Sequence, residues 1–393
     1  MTSIVDKYFS LNRTFLLIVG LWPYQYSKFS RFYLFCCYSI IATTIIFQFA
    51  TFVTSKCTAD YVAKFCSLSF GIITLAVIYN SFYVNSDKLR YSIEQLQLIY
   101  DDLKDIQEIA IFEKYGNISK RYTAVFIIAV VCDILIFVSI QFWPEFINII
   151  LTTNESRSRR LQIFTEYFID QERYYYIQQF QINAAFCIGL IAFATTGSMH
   201  FTCHQHACGM FKIASYRIKK AIEIYIQSIN LKNKNLVYNG LIYGVLIHRK
   251  AIMFSEYLVS NFQMSFMFSI IFGIFAISLN IFQVFQILSS KLNAEELLIH
   301  FIILLTFFTY MFFSNFIGQE ITDHYNLIFA TAYEVRWYTT PLCVQKLIQF
   351  LLLRGNKSFG LKVGKMFEGS LQCFATLTNA SLSYFIAMNS IKN

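Results

Sequence analysis

The chain has 393 residues, 56% hydrophobic and 14% charged, with a mean hydropathy of +0.50. Phe contributes 43 and Tyr 26 against 3 Pro, more apolar side chain than a water-facing surface absorbs, which excludes a soluble multidomain protein and calls for lipid. The net charge of +9 and the 10 Cys point neither to nucleic acid nor to a disulfide framework. No C-x-x-C pair occurs, six Cys lie inside apolar runs, and the basic residues are distributed as on the inner face of a membrane.

A bilayer core of roughly 30 Å takes about 20 residues of helix, which satisfies its own backbone hydrogen bonds. Seven stretches of that size are predicted to span: 32–55, 65–86, 122–144 (broken only by Asp133), 182–201, 257–290, 297–319 and 369–391. Ahead of them, 14–27 is too short to cross and lacks a small-residue cleavage site. It reads as a helix lying at the inner interface, with Trp22 and Tyr24 at headgroup depth. Between spans, Leu89, Ile93, Leu96, Tyr100 and Leu103 recur at alternating four- and three-residue steps, as do Ile218, Ile222, Tyr225 and Ile229. The segment 341–353 opens with Pro341, a good first-turn residue. These patterns predict helices that either pack as a cytoplasmic bundle or lie separately on lipid.

With the N-terminus inside, the inner segments carry 24 Lys and Arg and the outer segments 8, a strong positive-inside signal. The C-terminus is then outside, and the sequon at Asn154 falls on an outer loop, where it is a glycosylation candidate. A seven-span receptor coupled to a G protein has the opposite polarity. Its local signatures also fail, since Glu172-Arg173-Tyr174 precedes span 4 and span 7 has no Pro. No internal repeat supports a transporter. Phosphate-binding loops, HExxH sequences and nucleophile elbows are absent, so no enzyme, catalytic residue or cofactor is expected.

Three groups carry chemistry. Asp133, mid-span, is either functional or a hydrogen-bonded tie to a neighbouring helix. His200, Cys203, His204, His206 and Cys208 have the spacing of a metal cluster on one helix, but without a second ligand group helix contact is the better reading and no metal is assigned. Tyr174, Tyr175, Tyr176, Gln178, Gln179, Phe180, Gln181 and Asn183 open span 4 opposite Phe137, Gln141, Phe142 and Trp143 of span 3. Such a cluster is either an interfacial aromatic belt or the wall of a pocket for a small, mostly apolar ligand.

The C-terminal third reads Gly318-Gln319-Glu320-Ile321-Thr322-Asp323, Tyr333 followed by Trp337-Tyr338, Pro341, Gln345-Lys346, then Leu371, Phe374, Ser381, Ser383 and Tyr384-Phe385. This resembles the insect odorant receptor family. The stretches Gly20-Leu21-Trp22-Pro23-Tyr24-Gln25 and His206-Ala207-Cys208-Gly209-Met210-Phe211 are similar to receptors of ants and their relatives. The Tyr, five residues, Gln-Phe signature of the related gustatory receptors is missing, because Ser390 stands six positions after Tyr384. The connection between spans 4 and 5 is too short for the shared co-receptor.

The resemblance implies a ligand-selective subunit of an odorant-gated, non-selective cation channel, a heterotetramer with the odorant co-receptor. It implies an all-α fold of seven spans with a cytoplasmic helical anchor. The chain then divides into an N-terminal interfacial segment (1–31), spans 1–6 with cytoplasmic extensions (32–319), anchor helices (320–368) and a pore-lining span 7 with the outer C-terminus (369–393). Tyr333, Trp337 and Tyr338 would serve subunit contact in the anchor. Odorant, a small volatile or hydrocarbon-like molecule, would bind among spans 2, 3, 4 and 6 in the outer half of the membrane. From depth and polarity the expected lining is Phe70 on span 2, Phe137, Gln141 and Phe142 on span 3, Tyr176, Gln179, Phe180 and Asn183 on span 4, and Phe301 on span 6. Counting from Tyr384 places the gate at Ala387 and Ile391, with Ser390 beside them.

Overall fold

The computed structural model describes residues 3–25, 28–55, 57–151, 164–227, 234–289, 294–364 and 366–392, with side chains left out of account at 143–151, 234 and 392. The predicted sequon Asn154 lies outside the described residues. Among the described residues eleven helices follow in order: α1 (Ile4–Tyr8), α2 (Ser10–Ile18), α3 (Lys28–Thr54), α4 (Ala59–Val84), α5 (Ser86–Asp102), α6 (Ile106–Leu151), α7 (Gln171–Gln227), α8 (Lys234–Ser289), α9 (Ala294–Glu334), α10 (Leu342–Gly355) and α11 (Leu371–Lys392). A 3-10 turn, Trp337–Thr339, precedes α10. A two-residue antiparallel hairpin, β1 (Lys362–Val363) and β2 (Phe367–Glu368), precedes α11. The fold is all-α.

The seven predicted spans fall on α3, α4, α6, α7, α8, α9 and α11. Among the described residues the first six are long and apolar enough to cross a bilayer. At 22 residues α11 reaches about 33 Å, sufficient length, but it is less apolar than the others. Large side chains such as Phe32, Phe35, Phe49, Val125, Ile128 and Leu135 stay exposed on α3 and α6, as helix surfaces solvated by acyl chains do. α7 is the axis of the bundle, touching α2, α3, α4, α5, α6, α8 and α9. Its segment from Leu190 to Ile222 is buried on nearly every face, the pattern of a helix enclosed by protein.

α6, α8 and α9 run past the apolar stretches as unbroken helices of 46, 56 and 41 residues, and α7, of 57, does so from a kink at Tyr174 (φ −109°, ψ 16°) near its start. Their extensions gather with α1, α2, α5 and α10 at one end of the molecule, the anchor end. The stripe Leu89, Ile93 and Leu96 is fully buried there, as are Ile218 and Ile222, so these helices pack together. Charged pairs fasten the packing: Arg217 grips Glu108 through two hydrogen bonds of 2.7 Å, and Lys7 pairs with Glu113. Asp105 accepts from Lys220 at 2.5 Å and from the Tyr216 hydroxyl at 2.9 Å. The Lys220 ammonium, its strongest partner, holds the Asp105 carboxyl below its usual range.

One local expectation is corrected. The predicted interfacial helix over 14–27 is instead α2, which ends at Ile18. Gly20, at φ +71°, takes the left-handed position that closes a helix, with Gly20 N–H donating to the Leu17 carbonyl and Leu21 N–H to that of Leu16. The turn folds Leu21 and Trp22 back into the core, where Trp22 is 7% exposed, so that indole is buried in protein rather than at headgroup depth.

Two histidines of the anchor end give it an acid-sensitive core. His206 is wholly buried between Phe9 and Phe112, with Tyr8 at its edge. His248 lies against Phe211, Tyr325 and Phe329. Burial pushes His206 down to about 3 and His248 to about 4. Both are neutral when folded, whereas the unfolded chain binds a proton on each below about pH 6.5. Stability is therefore intact above that value and falls as the pH drops toward 4, by up to about 1.4 kcal/mol per pH unit for each histidine. Melting temperature in detergent should decline across this window, and His206→Phe should flatten the decline.

Candidate ligand site and pore helix

At the end of the bundle opposite the anchor, the loop end, spans 2, 3, 4 and 6 meet. Phe137 on α6 is 2% exposed and stacks on Phe186 of α7 at 3.9 Å between ring centroids. Ile182 completes that contact. One turn nearer the loop end, Gln141 on α6 and Gln178 on α7 are both buried, and each leaves its amide carbonyl oxygen without a hydrogen-bond partner among the described residues. Beside them Leu68 of α4, Ile140 of α6 and Ile299 and Ile302 of α9 form one apolar cluster, capped by Phe164. Tyr61 packs on Phe164 and Phe47 on Tyr167, at 5.2 and 4.4 Å, so the segment 164–170 lies as an aromatic cover over this end.

Polar ties cross the same region. His300 Nδ1 meets Asn280 Oδ1 at 2.8 Å, and the Asn280 amide donates to the Ser67 carbonyl, joining α9, α8 and α4. Lys64 pairs with Glu296 at the rim. The Thr306 hydroxyl donates to Asp133 at 3.4 Å, so this intramembrane carboxylate ties α6 to α9.

The structure sorts the expected lining residues by helix face. Phe137, Gln141 and Gln179 turn inward, and Asn183 is half-buried and accepts from the Gln179 amide at 3.4 Å. Tyr176, Phe180 and Phe301 are 51%, 75% and 53% exposed and lie on the outward faces of their helices; Phe142 sits at the boundary. Phe70 packs with α8, stacking on Phe272 and Phe275, rather than toward α6. In their places the inward faces present Tyr175, Gln178, Ile182, Ile299 and Ile302. The offsets are single residues on α7 and α9, about 100° of helix rotation.

The five His and Cys of α7 do not converge. His200 turns to Phe262 and Phe266 of α8, His206 to Phe9 and Phe112. No group of three potential metal ligands assembles among the described residues.

α11 has two contrasting faces. Cys373, Phe374 and Leu377 pack on α8 and α9, and Ser381 is fully buried. The opposite face exposes Gln372, Thr376, Asn379, Ser383, Ala387 and Ser390, a polar or small stripe at helical spacing, with Ile386 set in it and Leu371, Leu382 and Tyr384 exposed at its flanks. Ile391 continues it and is 84% exposed. Between the end of α9 and α10, Tyr333 and Tyr338 are 74% and 65% exposed, while Trp337 packs against the core.

A family model described as the 7tm odorant receptor matches residues 58–382. The chain belongs to the odorant receptor family. The receptor's fold is also that of solved insect relatives. The olfactory receptor OR5 from Machilis hrabei in complex with eugenol superposes with a TM-score of 0.80 at 14% identity, covering 99% of this chain and 100% of that one. A second structure of the same OR5 gives 0.71 at 14% identity, covering 98% of each chain. Among curated protein sequences none matches the receptor.

Proposed function

We propose that the receptor is the ligand-selective subunit of an odorant-gated, non-selective cation channel, working in a heterotetramer with the odorant co-receptor in the plasma membrane of olfactory sensory neurons. The observation that carries this reading is the exposed polar face of α11. A spanning helix that offers Gln372, Thr376, Asn379, Ser383 and Ser390 away from its own protomer is poorly matched to acyl chains and well matched to water. Assembly around a central axis would give that face a wet pore, with Ala387 and Ile391 as the apolar ring that closes it by dewetting. Tyr333, Tyr338 and neighbouring Leu342 and Phe350, all exposed, are the proposed subunit contacts of an anchor comprising 320–368 and the helical extensions.

The ligand site is proposed at the loop end, lined by Phe137, Gln141, Gln178, Gln179 and Asn183 with Ile299 and Ile302. Unpartnered amide oxygens among apolar walls fit a small organic molecule with one hydrogen-bond donor, and the eugenol complex of OR5 supports that size class. α9 links site to pore. Ile299 and Ile302 face the site, while Phe308 and Phe312 pack on Phe374 of α11 at 5.2 and 5.4 Å. A ligand that binds the open arrangement better by about 3 kcal/mol shifts the equilibrium roughly 150-fold.

Topology tests this reading against a G-protein-coupled one. An epitope at the N-terminus should be labelled only after cells are permeabilised, and one at the C-terminus without it. Labelling of the N-terminus on intact cells would contradict the channel subunit.

A further inference from the structure

A pocket lies toward the anchor end, where Gly197 stands about 22 Å along α7 from Ile182 by helical rise. It is a cavity of about 140 Å³ between α4, α7, α8 and α9, closed below by the hairpin and by Gly369 and Cys373 at the base of α11. Most of its wall is apolar: Phe82, Phe262, Phe266, Phe307 and Met311. The His200 ring meets Phe262 edge-on at 4.3 Å. Serines, Thr196, Tyr310, Asn315 and two histidines interrupt this wall, and three of these polar residues hold an unpaired atom. His200, His204 and Ser269 are 8%, 4% and 6% exposed, and the two Nδ1 atoms and the Ser269 Oγ have no hydrogen-bond partner among the described residues.

Size and chemistry together define an occupant. A wholly apolar cavity of about 150 Å³ takes up a benzene ring, so this one has room for a single six-membered ring. Buried polar atoms left unpaired destabilise the protein, and a ligand group that pairs with them removes that penalty. We propose that this cavity is a second binding site, for a one-ring aromatic molecule bearing a single hydroxyl, an aryl alcohol or phenol. Phe307 and Met311 belong to the same apolar cluster as Leu377 and Phe374 of α11, so the occupant touches the helices that hold the base of α11. It is therefore placed to shift gating without competing for the loop-end site. Binding itself is independent of the channel reading; only the effect on current rests on it.

Two glycines allow the cavity to be filled. A Cβ on Gly273 would have its nearest neighbour, Phe307, at 3.8 Å, and one on Gly197 would meet Tyr310 at 3.8 Å. Neither position resists a side chain, and Gly is a poor helix former. Binding of 4-fluorobenzyl alcohol to the full-length receptor in nanodiscs, followed by fluorine NMR, should reveal a saturable site that survives Gln141→Leu. Gly273→Leu and Gly197→Leu should each weaken that site at least tenfold while keeping the wild-type melting profile. His200→Leu should abolish the preference for the alcohol over 4-fluorotoluene. An unchanged isotherm in either filled variant that melts like wild type would overturn the site, and equal binding of alcohol and toluene by the wild type would overturn its chemistry. With the co-receptor present, the alcohol should move the odorant dose-response curve several-fold in wild type and not in Gly273→Leu; an equal shift in both would overturn the link to gating.

Discussion

Gly318→Ala should remove functional receptor from the cell surface, the largest effect expected of any single added methyl group. Gly318 lies in α9 where the chain passes from the hairpin into α11, and a Cβ there would sit 2.6 Å from the Gly369 Cα. The obstruction is backbone, which has no rotamer to yield. Two hydrogen bonds hold that backbone in place, from Gly369 N–H to the Leu361 carbonyl at 2.9 Å and from Ser370 N–H to Asn315 Oδ1 at 3.3 Å. Helix propensity alone would make the substitution favourable by about 1 kcal/mol. Overpacking of this kind costs about 1–3 kcal/mol, and a backbone clash belongs at the top of that range. Gly71→Ala is the control, since its Cβ would meet only Phe307 at 3.8 Å. It should melt at or above the wild-type temperature in detergent, whereas Gly318→Ala should melt several degrees lower. Equal melting temperatures would mean that α9 and the start of α11 are not in backbone contact.

Gln141→Leu should reorder the odorants that the receptor detects while leaving its abundance unchanged. The Gln141 side chain is buried and its carbonyl oxygen is unpaired, so a leucine of similar volume removes a polar liability rather than a contact. A ligand that donates a hydrogen bond to that oxygen loses about 1–3 kcal/mol, roughly 5- to 150-fold in effective concentration. A hydrocarbon of the same shape loses nothing and gains slightly. Dose-response curves for matched alcohol and alkane pairs on the co-expressed receptor would show this divergence. A uniform shift of both members would place Gln141 in the packing rather than at the ligand.

Much of the fold was legible because it is written in the composition of long segments. Runs without charge gave the spans, and the periodicity of Leu89, Ile93, Leu96 and of Ile218, Ile222 gave the anchor helices, since those faces are buried against protein. Trp22 misled because the turn that buries it depends on one left-handed glycine, Gly20, and not on the hydropathy of 14–27. The loop-end site was legible by helix and depth but not by face. Inside a membrane both faces of a helix are apolar, so nothing in the pattern distinguishes Phe301, turned outward, from Ile302, turned inward. The same blindness hid the anchor-end cavity, whose walls are ordinary phenylalanines on four helices far apart in sequence. On α11 the polar residues are spaced by three and four in the sequence, but exposed Leu371, Leu382, Tyr384 and Ile386 are interleaved with them, so the pattern alone does not set the stripe apart.

The central claim is that this chain lends odorant sensitivity to a channel, and one recording tests it directly. Excised membrane patches from cells expressing the receptor with the insect co-receptor, perfused with a panel of volatiles and hydrocarbons, should carry a rapid cation current without GTP or cytosol. That current should be absent from patches with the co-receptor alone and should fall when Ala387 is replaced by Phe at the gate. A response that requires GTP and disappears on excision, in cells where both subunits reach the surface, would contradict the account.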